Sequence, residues 1–180
     1  MRKFISILVV AALIASCNQD KPAEEKKEDS AKTEVKKVEA VTYPYHAAYS
    51  SAIEIGKAEN AKIVLDIWKA FEDNKLDETR ALWADSVTMQ FDGYTFHGKG
   101  DSVLAEGKAE RNKYTSVVDS VDAWLPMHST DRNQDWVAVW GREYTVNKKG
   151  KKDTADLHEL FLVNNGKVSF MSQYRAHRKP

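Results

Sequence analysis

The stretch from Trp136 to His177 constrains what this chain can fold into more than any other. The run Trp136–Val146 is rich in β-branched and aromatic residues, which suit a pleated, half-buried surface. Asn147-Lys148-Lys149-Gly150-Lys151 then supplies turn chemistry, because Gly150 takes a positive φ without cost. Asp156–Val163 reads as a second strand. Asn165-Gly166 follows, and Asn-Gly between apolar runs is the strongest short hairpin signal. Val168–Tyr174 is the returning third strand. Side chains alternate faces along a strand. Trp136, Ala138, Trp140, Arg142 and Tyr144 therefore share one face, and Val137, Val139, Gly141, Glu143 and Thr145 the other. In the second strand His158, Leu160 and Leu162 oppose Leu157, Glu159, Phe161 and Val163. Neither face is purely polar, so the sheet needs two covers. Helices can supply one and a second subunit the other.

The preceding segments provide the helices. Asn60 is an expected N-cap, and Ala61, Val64, Leu65, Trp68 and Phe71 after it form one apolar stripe at helical spacing. Asp73-Asn74-Lys75 breaks this helix. Asp77 is the expected cap of a second, shorter helix carrying Leu82 and Trp83. Ser86–Asp92 alternates with period two, placing Val87, Met89 and Phe91 on one face, and Asp92-Gly93 turns the chain into the strand Tyr94–His97. Asp101 is the expected N-cap of a third helix with Val103, Leu104 and Gly107 inward. Thr115–Met127 returns to strand character, and Ser129–Asp135 is a polar loop before the C-terminal strands.

The order is helix, helix, short hairpin, helix, then four long strands. With Leu82-Trp83-Ala84-Asp85-Ser86-Val87, Phe96-His97-Gly98 and Asn165-Gly166-Lys167-Val168 in their places, the chain from about Ala58 to His177 resembles the nuclear transport factor 2-like superfamily, specifically its SnoaL-like branch. The resemblance implies an α+β fold: a curved, mixed or antiparallel sheet wrapped around three N-terminal helices, forming a cone with a pocket at its wide end. It also implies a possible homodimer through the outer sheet face. Enzymes of this superfamily place an Asp, His or Tyr set in the cone; no run here matches such a set residue by residue, so no catalytic role carries over.

The N-terminus gives an address. Residues 1–16 combine a basic start, an apolar run and small residues, the pattern of a secretory signal peptide. The apolar run is shorter than the roughly 18 residues of a spanning helix. Ile14-Ala15-Ser16-Cys17 resembles the lipobox of bacterial lipoproteins, which implies a lipid on Cys17 and attachment to a membrane of the cell envelope. Asn18 after the cysteine, rather than Asp, favours the outer membrane under familiar Gram-negative sorting. Cys17 is the only cysteine, so no intramolecular disulfide can form. Residues 17–41 comprise the lipidated cysteine and a charged linker too poor in large apolar residues to offset chain entropy. Residues 42–180 are the folded domain, entered at Tyr43-Pro44-Tyr45, whose aromatics are expected to pack on its outer surface. Lys+Arg and Asp+Glu both number 27, and loss of Arg2 and Lys3 with the leader leaves a slight acidic excess. Neither balance points to nucleic acid.

Candidate chemistry is sparse. His97 ends a strand before a helix and is a candidate proton shuttle; the plain alternative is a hydrogen-bonded rim residue. His158 and Glu159 are adjacent on a strand, point to opposite faces and form no dyad. A pocket-facing His158 would stand beside Trp140 or Tyr174; alternatively it packs across strands. Glu143, among apolar groups, is a candidate acid or base, or simply pairs with Arg142 or a lysine. The aromatic pocket wall is expected from Trp68, Trp83, Met89, Phe91, Trp140 and Tyr174, although large aromatics also fill cores. The five histidines lack metal-ligand spacing, so no metal is expected. Gly98-Lys99-Gly100 lacks the rest of a phosphate loop, and the domain reads as cofactor-free. Arg175, His177, Arg178 and Lys179 read as a solvated basic tail.

Three functional classes follow. The leading one is a lipid-anchored envelope protein holding a small, partly apolar ligand in its cone. The second is an acid–base enzyme using His97, Glu143 or His158. The third is an envelope adaptor without a functional pocket. A cavity with convergent buried polar groups favours the enzyme, an almost wholly apolar one favours binding, and a cone plugged by Trp68, Phe91 and Trp140 favours the adaptor.

Overall fold

Both C-terminal turns marked by the sequence are places where the chain reverses. In the computed structural model, which describes residues 41–178, Asn165 and Gly166 have φ of 50° and 74°, the two positive values that a two-residue type I′ turn requires. They join β6 (Lys152–Asn164) to β7 (Lys167–His177). β5 (Gln134–Asn147) reaches β6 through a turn in which Gly150 has φ of 77°. There the Asn147 side chain accepts hydrogen bonds from the backbone N–H groups of Lys149 and Lys151, at 2.9 and 3.0 Å.

Upstream lie β1 (Ile53–Ile55), helix α1 (Ala58–Glu72), a 3-10 segment (Leu76–Leu82), β2 (Trp83–Phe91), β3 (Tyr94–Gly98), helix α2 (Gly100–Arg111) and β4 (Tyr114–Ser129). The expected second α-helix is this short 3-10 segment. Its seven residues are too few for an independently stable α-helix, and the three-residue period puts Leu76 and Thr79, both buried, on one side. Trp83 accordingly begins β2 rather than ending a helix. The expected caps also differ. α1 starts one turn early, from Lys57, and buries Asn60 in its first turn. α2 starts from Lys99, while Asp101 pairs with Arg80 and Asp77 pairs with Lys108 at 2.7 Å. These acids tie the 3-10 segment and α2 together instead of capping either.

The strands form one seven-stranded sheet in the order β1-β4-β5-β6-β7-β2-β3. β2 and β7 run parallel and every other pair is antiparallel, so the sheet is mixed. The short strand β1, which the polar context of Ile53 and Ile55 concealed, pairs with the end of β4. The ladder between β4 and β5 shifts register on either side of Thr115 and of Asp122, and that between β6 and β7 shifts around Ser169. Such bulges bend strands and increase their twist. The sheet is curved and unclosed. α1, the 3-10 segment and α2 lie on one face, where Val64, Trp68, Val103, Val139, Leu157 and Phe161 belong to a single buried cluster.

Tyr43 and Tyr45, expected to pack on the domain surface, are 74% and 85% exposed. Tyr49 does that packing instead, meeting Trp136 edge-on with ring centroids 5.8 Å apart and lying under the Arg132 guanidinium at 4.8 Å. Among the described residues no helix is long and apolar enough to cross a membrane. The expected signal peptide, the lipid on Cys17 and the expected linker up to residue 40 lie outside the described residues.

Candidate functional site

A cavity of about 520 Å³ lies between the helices and the sheet face they cover. Its formation begins with Gly141. A Cβ there would stand 2.7 Å from the Ser120 carbonyl oxygen and 3.0 Å from the Trp68 ring, so only a glycine lets the α1 tryptophan lie against β5. From that position Trp68 Nε1 donates a 2.6 Å hydrogen bond to Glu159 Oε2 on β6. Gln173 Nε2 of β7, directly opposite Glu159 in the ladder, donates to Oε1 at 2.5 Å. Both oxygens of a carboxylate that is 6% exposed are thus occupied by neutral donors. Burial pushes the Glu159 carboxyl up to about 7, and the two donors pull it only part of the way back.

Asp119 of β4 and Glu143 of β5 are partners in their ladder and point to the same face. Glu143, 4% exposed, accepts a 2.6 Å hydrogen bond from Arg175 Nη2. The cavity-lining Asp119 has a fully buried Oδ1 with no hydrogen-bond partner. Its carboxyl is pushed up to about 7, by burial first and then by the negative charges of Glu143, Glu72 and Glu159, against an opposing effect of Arg175. Tyr114 donates to Glu110 Oε1 at 3.0 Å, and burial together with that carboxylate pushes its phenol up to about 12. The rest of the lining is largely apolar. The exposed members Tyr94, Glu106 and His177 mark where the cavity meets solvent.

The residues expected to form a site divide between two faces. Trp68, Trp83, Met89, Phe91 and Glu143 line the cavity. Trp140 and Tyr174 do not. They flank His158 in one row across β5, β6 and β7, on the sheet face away from the helices, where Trp140 meets the His158 ring edge-on with centroids 6.1 Å apart. The alternation itself requires this, since Trp140 and Glu143 occupy opposite parities of β5. His158 therefore stands beside Trp140 and Tyr174, but outside the cavity. His97 is exposed, its Nδ1 at 2.9 Å from Thr88 Oγ1. Glu143 pairs with Arg175 rather than Arg142, which is held by Asp156 on the other face at 2.9 Å.

Sequence reasoning missed Asp119, Glu159, Gln173 and Arg175. A signal existed for two of them. Asp119 alternates with Val117 and Val121, and Glu159 with Leu157 and Phe161, so each is a lone acid within an apolar strand face. Arg175 was hidden because β7 runs on to His177, drawing Arg175 and His177 of the supposed solvated tail into the sheet.

By sequence alone the chain matches no protein-family model and no curated protein. Solved structures supply the likeness. One, from Jannaschia sp. CCS1, is described as a SnoaL-like polyketide cyclase; it has a TM-score of 0.55 and 15% identity, covering 72% of this chain and 91% of that one. An NTF2-like protein of unknown function from Burkholderia pseudomallei gives 0.55 and 19%, covering 67% and 92%. An LEH-like epoxide hydrolase from M. tuberculosis gives 0.55 and 12%, covering 66% and 83%.

Proposed function

We propose, for a chain with the nuclear transport factor 2-like cone fold, that it is a lipid-anchored protein of the cell envelope which holds a small, partly apolar molecule in its cone. The cavity carries this reading. At about 520 Å³ it is within the range of small-molecule sites, and it combines an apolar wall with a few convergent polar groups. An adaptor without a pocket would be expected to fill that space; here Trp68 and Phe91 line it and Trp140 faces away. The test is uptake of a neutral apolar dye, Nile red, read by its fluorescence. Met89 lines the cavity, and Met89→Trp should fill part of it and abolish the enhancement while the far-ultraviolet circular dichroism stays unchanged. Equal enhancement in that variant would show that the dye binds elsewhere and would overturn the reading.

One observation favours a second reading, an acid–base enzyme. Asp119 lines the cavity and burial pushes its carboxyl up to about 7, and a group poised near neutrality both accepts and gives protons efficiently. If Asp119 acts as a base, deuterium exchange into a bound ketone, followed by NMR, should rise as pH passes through its pKa and vanish in Asp119→Asn. A rate that the variant leaves unchanged would remove this reading.

A further inference from the structure

We propose that the molecule this cavity takes carries a cationic head, a protonated amine, on its apolar body. The inference rests on the cavity being a ligand site and goes further, to the charge of the ligand.

Asp119, Glu143 and Glu159 enter one cavity from three neighbouring strands, and Arg175 is the guanidinium among them. Arg175 is already committed to Glu143 at 2.6 Å. Glu159 has only neutral donors, the Trp68 indole and the Gln173 amide. Asp119 Oδ1 has none. The cluster therefore lacks both a donor, at Asp119, and positive charge. Burial first, and the neighbouring negative charge after it, lets Asp119 and Glu159 hold their protons up to about 7. The groups acting on Asp119 are the carboxylates of Glu143, Glu72 and Glu159 and the single guanidinium of Arg175. Those acting on Glu159 include Glu143 and Arg175.

An ammonium would supply both missing elements, a charge-assisted hydrogen bond to the Asp119 carboxyl where it lines the cavity and a cation beside the excess carboxylate. A neutral hydroxyl would supply only the bond, and an anion would add to the repulsion. The aromatic wall suits the same ligand, because the faces of Trp68, Trp83 and Phe91 attract cations as well as burying apolar surface. An organic cation also fits better than a metal ion, since among the described residues no three His, Cys, Asp or Glu side chains are grouped to hold one. On binding, the ammonium takes the place of protons: Asp119 and Glu159 ionise beside it and their protons leave to buffer.

The test compares three probes of one shape, phenylbutylamine, phenylbutanol and phenylbutyrate, titrated calorimetrically into the full chain near neutral pH in two buffers of different ionisation enthalpy. The amine should bind at least about tenfold more tightly than the alcohol, with the carboxylate weakest, and amine binding alone should release protons. Asp119→Asn should erase the preference for the amine, bringing its affinity down to about that of the alcohol. Preference and proton release in the unaltered protein stand independently of whether that variant folds. An alcohol that binds as tightly as the amine, a carboxylate that binds best, or amine binding without proton release would overturn the charge assignment while leaving the cavity reading intact. Failure of all three probes to bind would overturn both.

Discussion

Asp119 and Glu159 hold their protons for the same reason: each is a carboxylate taken out of water onto a sheet face that offers too little positive charge. The consequence for stability has a definite sign. Their ordinary values are 3.8 and 4.5, and both are pushed up to about 7 in the folded protein. Between those limits the folded state binds more protons than the unfolded one, so stability falls as pH rises. As far as these groups are concerned, chemical denaturation should give the highest stability below about pH 4 and a loss on the order of 1–3 kcal/mol per group by pH 8. Glu159→Gln keeps an acceptor for Trp68 and should flatten that decline. A wild-type profile rising from pH 5 to pH 8 would contradict the assignment. At this scale the sequence was partly readable. The parity of β5 placed Glu143 on the face opposite Trp140, but no local feature distinguishes an acid under a helix from one under water. That distinction depends on which face α1 covers.

At the scale of elements, the contact that fixes the cavity is Trp68 of α1 against the bare backbone of Gly141 in β5. Gly141→Ala introduces a methyl 2.7 Å from the Ser120 carbonyl, a backbone atom that cannot swing aside. The variant should lose about 1–3 kcal/mol by overpacking, more than the roughly 0.4–1 kcal/mol that alanine recovers by restricting the unfolded chain. Urea denaturation measures the loss; displacement of Trp68 from Glu159 should appear as shifted tryptophan emission. A variant as stable as wild type with unchanged emission would show that the indole is held elsewhere. The C-terminal strands were legible because their signals are local: Asn165-Gly166 makes its own turn, and alternation sets the faces. The second helix was misread because its large apolar residues, Leu82 and Trp83, fit a helical stripe over too short a span. Tertiary packing resolved them into a 3-10 segment and the first residue of β2. β1 was missed because three residues pairing only with the end of β4 have no period to detect.

For the whole molecule, a cone with a lined cavity suits capture of a ligand at the proposed membrane anchor. The anchor is testable directly: Cys17→Ser should move the protein from the membrane to the soluble fraction on cell fractionation. Unchanged membrane retention would remove the lipid from the proposal. The sheet face away from the helices presents Tyr144 and Tyr174, 41% and 68% exposed, as a surface for the proposed self-association. Tyr174→Glu should lower the mass measured by light scattering if two copies meet there; a mass unaffected by the change would place any contact elsewhere. The sequence by itself determined the strand pairings joined by short turns and the amphipathic stripe of α1, because each depends on residues close together in the chain. Only the tertiary structure decided which sheet face is roofed by helices. Asp119, Glu143, Glu159 and Arg175 come from four different strands, and whether their charges meet one another or water is set by the bend of the sheet and the seat of Trp68.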